Sequence, residues 1–351
     1  MSEPEVIVET RGRVGLLTLN RPQALNALTH GMVRDIAAAL DRWERDAAIG
    51  CVVVRGAGEK AFCAGGDIRQ LYERGKAGDV GFGLAFWADE YRLNLRIKTY
   101  PKPYVALIDG IVMGGGVGVS EHGSLRVAGD RFQFAMPEVG IGFFPDVGAT
   151  HFLPRLPGKV GTWLALTGER VRGPDAVALG LADVHAPSAA METLLAALAA
   201  GEAPEAAARR LATPSHPQLT DADRGVIDGC FEGHTVAEIL AGLDSSAAHG
   251  SAFAAKQAAT MRTKSPTSLA IALRQMQIGG GLDFAEAMRT EYRIVSRVAR
   301  GRDFYEGVRA VIVDKDNAPR WSPAAIGDVS AAMVDAYFAP LGDDELKLPA
   351  A

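Results

Sequence analysis

Cysteine is scarce in this sequence: three residues in 351, Cys51, Cys63 and Cys230. No two of them form a CxxC pair, so the chain encodes neither a disulfide framework nor a cysteine-rich metal site. Histidine is thin as well, at seven residues, with no HxxxH or HExxH spacing to ligate a metal from one helix face. Lys and Arg never gather into a run, and acidic residues outnumber them, 42 against 37. A basic stripe for nucleic acid is therefore not expected. No apolar run approaches the roughly 18–20 residues that would span a bilayer. The phosphate-cradling pattern GxxxxGK[ST] is missing. The opening residues MSEPEVIVET are acidic and poor in apolar side chains, unlike a secretory signal or an Arg-rich transit peptide. With the unpaired cysteines, they lead us to expect a reduced, cytosolic protein.

What is present is ample material for a core: 48% hydrophobic and 23% charged residues, in a length that allows two domains. Val6 to Val8 and Val14 to Leu19 are β-branched runs separated by Arg11-Gly12-Arg13, which predicts a hairpin. Thr29 is placed to cap a helix with Met32, Ile36, Leu40 and Trp43 at helical spacing. Cys51 to Arg55, Tyr104 to Ile108, Leu125 to Ala128 and Phe132 to Phe134 read as further strands. Phe82 to Ile97, Lys159 to Leu166 and Gly173 to Leu179 read as helices. After His185 the composition turns Ala- and Glu-rich and the pattern becomes mainly helical. The expectation is an α/β catalytic core over residues 1–185 and a helical region over 186–351.

The stretch from Asp109 to Gly148 concentrates the chemistry. It opens on Gly114-Gly115-Gly116, with Gly118 close behind, and closes on two carboxylates, Glu138 and Asp146. Glycines let a backbone approach a ligand and aim its N–H groups, and a helix start supplies free donors. The glycine run is not a dinucleotide fingerprint: taking Gly114 and Gly116 as its first two glycines leaves Val119 where the third belongs. A second glycine loop, Ala64-Gly65-Gly66-Asp67, also follows a strand. Two such loops fit a bipartite oxyanion hole better than packing alone.

Ser120 and His122 suggest a serine hydrolase, but Gly118-Val119-Ser120-Glu121-His122 lacks the last glycine of GxSxG. Residues two apart on a helix also do not face each other. Cys63 beside the glycine loop fits a small packing residue better than a nucleophile. Glu138 lies in FAMPEVGIGFFPDVG, among apolar residues able to desolvate it and raise its pKa. Asp146 has two readings, catalytic acid or helix N-cap.

Leu19-Asn20-Arg21-Pro22, Ala24-Leu25-Asn26-Ala27-Leu28, Phe62-Cys63-Ala64-Gly65-Gly66-Asp67 and the triple glycine resemble the enoyl-CoA hydratase/isomerase (crotonase) superfamily. Met136-Pro137-Glu138, Gly142-Phe143-Phe144-Pro145-Asp146-Val147-Gly148, Ser265-Pro266-Thr267-Ser268-Leu269 and Glu306-Gly307-Val308-Arg309-Ala310 look like its 3-hydroxyisobutyryl-CoA hydrolase branch, which serves valine catabolism. The resemblance implies a spiral of repeated ββα units followed by C-terminal helices, and an acyl-CoA thioester substrate. By position it makes Gly66 and Gly115 the backbone oxyanion donors and Glu138 and Asp146 the catalytic pair. Glu90, Ala64, Asp67 and Arg69 become substrate-binding residues, with Arg69 near the coenzyme phosphates. It implies no metal and no separate cofactor, coenzyme A being part of the substrate. Nucleic acid and membrane are not partners in this reading, and a homo-oligomer stays open.

One departure separates the branches. Hydratases carry a second glutamate two residues after the triple glycine, and here that position is Gly118. This favours thioester hydrolysis over hydration of a double bond. An enoyl-CoA hydratase or isomerase is the alternative enzyme. A non-catalytic acyl-CoA binder or a structural protein would leave the two carboxylates or the two glycine loops unexplained.

Overall fold

The structure, a computed structural model, describes residues 3–214 and 216–349. They form two compact units, each assembled from three segments. The first takes Met1–Asp67, Asp89–Ala135 and Arg170–Gln218, and the second takes Ile68–Ala88, Met136–Glu169 and Leu219–Ala351.

The first unit holds both sheets. Its strands are β1 (Val6–Arg11), β2 (Val14–Leu19), β3 (Cys51–Gly56), β4 (Ala61–Cys63), β5 (Tyr104–Ile108), β6 (Ile111–Met113), β7 (Leu125–Ala128), β8 (Gln133–Ala135), β9 (Val171–Arg172) and β10 (Val184–His185). The larger sheet runs β1-β2-β3-β5-β7-β10 and the smaller β4-β6-β8-β9. β3, β5 and β7 pair in parallel, and so do β4, β6 and β8. Each successive strand pair therefore gives one strand to each sheet. In chain order, each pair is followed by a helix or a helical turn: Ile68–Lys76, Gly115–Gly118 and Glu138–Ile141. This is the repeated ββα order that the resemblance implies. The corner between β5 and β6 is Gly110, at φ +104°, where a Cβ would come within 2.7 Å of the Lys60 carbonyl oxygen. Only glycine can turn the chain there.

Alternation along the strands explains which faces close. Val14 and Leu16, Cys51 and Val53, Val105 and Leu107, and Leu125 and Val127 form one buried cluster with Leu194, Leu195 and Leu198 of the Met191–Ala199 helix. The expected hairpin is present, with register Val6↔Leu19 to Arg11↔Val14 around Gly12 at φ +55°. The Thr29 hydroxyl accepts the Met32 N–H at 3.2 Å, and Met32, Ile36, Leu40 and Trp43 are buried. β4 and β6 carry no alternation of their own at three residues each. Their pairing with neighbours makes them strands.

In the second unit the helical portion packs tightly around residues 138–153. The Arg302–Val308 helix meets the Glu138–Ile141 turn backbone to backbone. A Cβ on Gly307 would lie 2.3 Å from the Ile141 carbonyl carbon, and one on Gly142 would lie 2.1 Å from the Asp303 carbonyl oxygen. Ser265 caps the Pro266–Gly279 helix, donates its N–H to the Val139 carbonyl at 3.1 Å and its hydroxyl to Asp303 at 2.7 Å. Trp87, Phe143 and Phe304 cluster beside this turn, Trp87 stacked on Phe143 and Phe304 edge-on to Trp87, with ring centroids 5.6–6.1 Å apart. After β10 every element among the described residues is helical, and no helix is long and apolar enough to cross a membrane.

Gly307→Ala should therefore lower stability by about 1–3 kcal/mol, the usual range for overpacking. Gly280→Ala is the control, because nothing lies within 4 Å of a Cβ built there. Urea melts of the two variants check this, and equal midpoints would mean that the close helix contact is not required.

Candidate active site

In the first unit the two glycine loops come together through the local chemistry of residues 21–28. Leu25 and Asn26 both take left-handed backbone, φ 52° and 56°. The Asn26 side chain accepts the Arg21 N–H at 2.9 Å and donates to the Ala57 and Ala61 carbonyls, both at 2.9 Å. Arg21 in turn donates to the Ala27 carbonyl at 2.6 Å and pairs with Asp67 at 3.0 Å. Ala64 donates its N–H to the Leu25 carbonyl. Thus Ala64 and Asp67, expected as substrate-binding residues, are knitted into this loop.

Leu28 N–H donates to the Gly65 carbonyl, and Asp67 N–H donates to the Leu28 carbonyl, both at 2.8 Å. In such a parallel bridge the intervening residue, Gly66, directs its own N–H the other way. Opposite stands the triple glycine. Gly114 takes φ 45°, ψ −123° at the start of the Gly115–Gly118 turn, a conformation open to glycine. Gly115 is the first residue of that turn, so its N–H has no intrahelical acceptor. The positive φ thus falls on Gly114 and Gly65 rather than on Gly115. A Cβ built on Gly115 would lie 3.3 Å from the Gly66 nitrogen and 2.5 Å from Glu90 Oε1. The two glycines and the buried Glu90 carboxyl therefore share one small space. One helical turn beyond Glu90, Asn94 is fully buried, and neither its Oδ1 nor its Nδ2 has a hydrogen-bond partner among the described residues.

The rejected nucleophiles are occupied or inert. Ser120 is buried and donates its hydroxyl to the Gly116 carbonyl at 2.8 Å. Burial pushes the Cys63 thiol up to about 12, so it carries almost no thiolate at neutral pH.

The second unit holds the carboxylates. Glu138 opens the Glu138–Ile141 3-10 turn and is buried, with Oε2 lacking a hydrogen-bond partner among the described residues. Burial first, then the nearby Asp146 charge, holds its pKa well above the usual range. Asp146 is 4% exposed. It does not cap the Ala149–Phe152 helix, whose N-cap is Gly148 with no side-chain bond. Arg69 is exposed, and its guanidinium donates to the Ile312 carbonyl at 2.8 Å.

A third carboxyl escaped the sequence reading. Glu291, on the Phe284–Val298 helix, is fully buried and accepts the Gly148 N–H at 2.8 Å and the Thr150 N–H at 2.9 Å. Burial, then the Asp146 charge, pushes its pKa up to about 8. The available signal was its spacing: it sits in line with Phe284, Ala287, Met288, Ile294, Val295 and Val298, on the buried face of that helix. No group of three or more His, Cys, Asp or Glu that could hold a metal ion occurs among the described residues.

Residues 14–338 match the family described as enoyl-CoA hydratase/isomerase. A relative from Danio rerio is 46% identical across 98% of this chain and 92% of its own length. One from Homo sapiens is 44% identical across 98% and 90%. Both are named 3-hydroxyisobutyryl-CoA hydrolase, mitochondrial. Among solved structures, one named as a carnitinyl-CoA dehydratase, from Mycobacterium thermoresistibile, superposes with TM-score 0.92 at 45% identity, covering 98% of both chains. Another, named as an enoyl-CoA hydratase, from Rhodobacter sphaeroides 2.4.1, gives TM-score 0.90 at 42% identity, covering 98% of this chain and all of its own. The fold is thus the crotonase spiral with a helical C-terminal portion.

The expectation of a cytosolic protein is corrected by the same relatives, which are named as mitochondrial. Unpaired cysteines report a reducing environment and do not distinguish one reducing compartment from another. With a family match spanning most of its length and relatives above 40% identity along nearly all of it, the chain belongs to the enoyl-CoA hydratase/isomerase family.

Proposed function

We propose that this protein hydrolyses an acyl-CoA thioester, with 3-hydroxyisobutyryl-CoA as its substrate. The observation that carries the reading is the second acid. Gly118 stands where a hydratase has its second glutamate, and the charge that acts on Glu138 comes instead from Asp146. The names of the relatives from Danio rerio and Homo sapiens support the same reaction. The likeness to the Rhodobacter sphaeroides protein, named as an enoyl-CoA hydratase, supports a second reading, hydration of an unsaturated acyl-CoA.

In the proposed reaction the thioester carbonyl oxygen accepts the N–H groups of Gly66 and Gly115. Negative charge develops on that oxygen during attack, and one preorganised donor is typically worth about 100- to 1,000-fold in rate. Glu138 acts as a base toward water, or attacks the carbonyl itself to form a mixed anhydride that water then opens. Either way it must be ionised, and its raised pKa makes it a stronger proton acceptor. Asp146 holds that pKa up and orients the water or the substrate's hydroxyl. Glu90 and the Asn94 amide, unpartnered among the described residues, suit a polar acyl or pantetheine group, and Arg69 a coenzyme phosphate. The scheme requires no metal and no further cofactor.

The reaction class is tested by supplying 3-hydroxyisobutyryl-CoA and crotonyl-CoA separately. Free thiol should appear from the first, and crotonyl-CoA should be hydrated slowly or not at all. Fast hydration without thiol release would establish the second reading instead.

Glu138→Gln keeps the shape but removes the base or nucleophile, so turnover should fall by roughly 100-fold or more. The pH profile then assigns Asp146. Glu138 works as the carboxylate, so activity rises with pH through its raised pKa. Removing the Asp146 charge lowers that pKa, and the acid limb of kcat/KM should move to lower pH in Asp146→Asn, with reduced turnover. An unmoved limb at wild-type turnover would leave Asp146 a structural residue.

The two donors are tested sterically. Gly115→Val places a branched side chain against Gly66 and Glu90 and should abolish thiol release. Gly225→Ala, with open space around its Cβ position, should not. Near-normal activity in Gly115→Val would move the oxyanion site elsewhere.

A further inference from the structure

Pro145 to Thr150 is an unusual turn. Asp146 is followed by two residues in left-handed backbone, Val147 at φ +52° and Gly148 at φ +98°. Glycine takes such angles freely, but a β-branched residue almost never does. The turn therefore does not persist on local preference and must be held from outside. Two buried side chains do this. Glu291 spans the turn with both oxygens, Oε2 on the Gly148 N–H and Oε1 on the Thr150 N–H. Gln275, on the Pro266–Gly279 helix, donates Nε2 to the Pro145 carbonyl at 2.8 Å and to the Thr150 hydroxyl at 2.7 Å. Glu291 and Gln275 are both fully buried. Within the turn, the Ala149 N–H donates back to the Asp146 carbonyl at 3.0 Å. The bonds made by Glu291 begin two residues after Asp146 and lie immediately beyond the strained Val147.

We propose that Glu291 is a positioning residue: its carboxyl clamps the Gly148 and Thr150 amides, holds Val147 in its left-handed conformation and so fixes the direction of the Asp146 side chain. This deepens the thioesterase reading and rests on it for the role of Asp146, while the clamp itself is a property of the fold. Glu291 touches no reacting atom in this scheme. A glutamine at 291 keeps the size and one acceptor, but its NH2 group would face a second N–H, so the two-point clamp is lost. The clamp should therefore fail in Glu291→Gln even where the helix still packs.

The experiment has a substrate-free arm and a kinetic arm. In the first, hydrogen exchange of the Gly148 and Thr150 amides is compared in wild type and Glu291→Gln. Exchange faster by at least tenfold at these two sites supports the clamp, and unchanged protection overturns it, whatever the protein's substrate. In the second, thiol release from 3-hydroxyisobutyryl-CoA should show kcat reduced tenfold or more with KM within about twofold of wild type. A role confined to stability would lower the melting temperature and leave kcat per folded molecule unchanged, which overturns the proposal. Val147→Gly relieves the strain that the clamp opposes, so adding it to Glu291→Gln should recover most of the lost kcat. A double variant no better than Glu291→Gln alone also overturns it. If Glu291→Gln does not fold, Glu291→Asp, one methylene too short to reach both amides, is measured instead by the same criteria. Failure of the wild type to release thiol sinks the hydrolase reading, and the exchange measurement still decides the clamp.

Discussion

A carboxyl group taken out of water with one oxygen unpartnered is costly, at least a few kcal/mol when ionised. Glu138 is held in that state, and much of the second unit serves to hold it. The acid cannot escape by a small rearrangement because the turn that carries it is closed by backbone contacts. Gly142 and Gly307 admit the Arg302–Val308 helix to within Cβ distance of the turn. Gly168 admits Pro137 in the same way, a Cβ there falling 2.8 Å from the Pro137 Cα. Ser265 fastens Val139 to the start of another helix. Rigidity of this kind is what keeps a proton acceptor both dry and fixed.

The family motifs in the C-terminal part acquire physical content from these contacts. Ser265-Pro266-Thr267-Ser268-Leu269 is a helix start whose cap residue also bonds the segment after Glu138. Glu306-Gly307-Val308-Arg309-Ala310 supplies the glycine that the close approach to Ile141 demands, and Arg309 pairs with Glu306, Asp314 and Asp316 at the surface. In the first unit Arg21 and Leu25-Asn26 serve the proposed oxyanion donors. They fasten the Gly65-Gly66 loop so that the Gly66 N–H faces away from its own strand partner.

Legibility followed sequence distance. Strands of four or more residues, such as Tyr104–Ile108 and Leu125–Ala128, were readable because apolar runs bounded by Pro and Gly report burial directly. β4 and β6 were not, since their three residues run straight into the glycine loops that dominate the local pattern. Glu138 and Asp146 were readable because they share one short apolar stretch. Glu291 was not, although it meets the same turn. It comes from a helix that also carries Glu286, Arg289 and Arg293, and a charge in such company looks solvated until the facing residues are known. The helical period held the clue, but a lone acid on an apolar face has no partner visible in its own segment. The left-handed conformation of Val147 was invisible for a related reason: nothing in a β-branched residue announces a positive φ, which only tertiary bonds can impose.

Where the second acid sits also changes how it must be supported. An acid at position 118 would inherit its direction from the Gly115–Gly118 helical turn, whose backbone bonds fix it locally. Asp146 has no such ladder. It stands at the start of a turn whose next two residues are left-handed, a conformation that costs about 1–3 kcal/mol at a non-glycine position. Glu291 opposes that strain by accepting the Gly148 and Thr150 N–H groups on either side of Ala149. Glu291 feels the charge of Asp146, which together with burial raises its pKa to about 8. The clamp and the acid are therefore coupled. Protonating Glu291 lowers the negative charge near Asp146 and weakens the acceptors that hold its turn, so support for the second acid strengthens as pH rises through about 8.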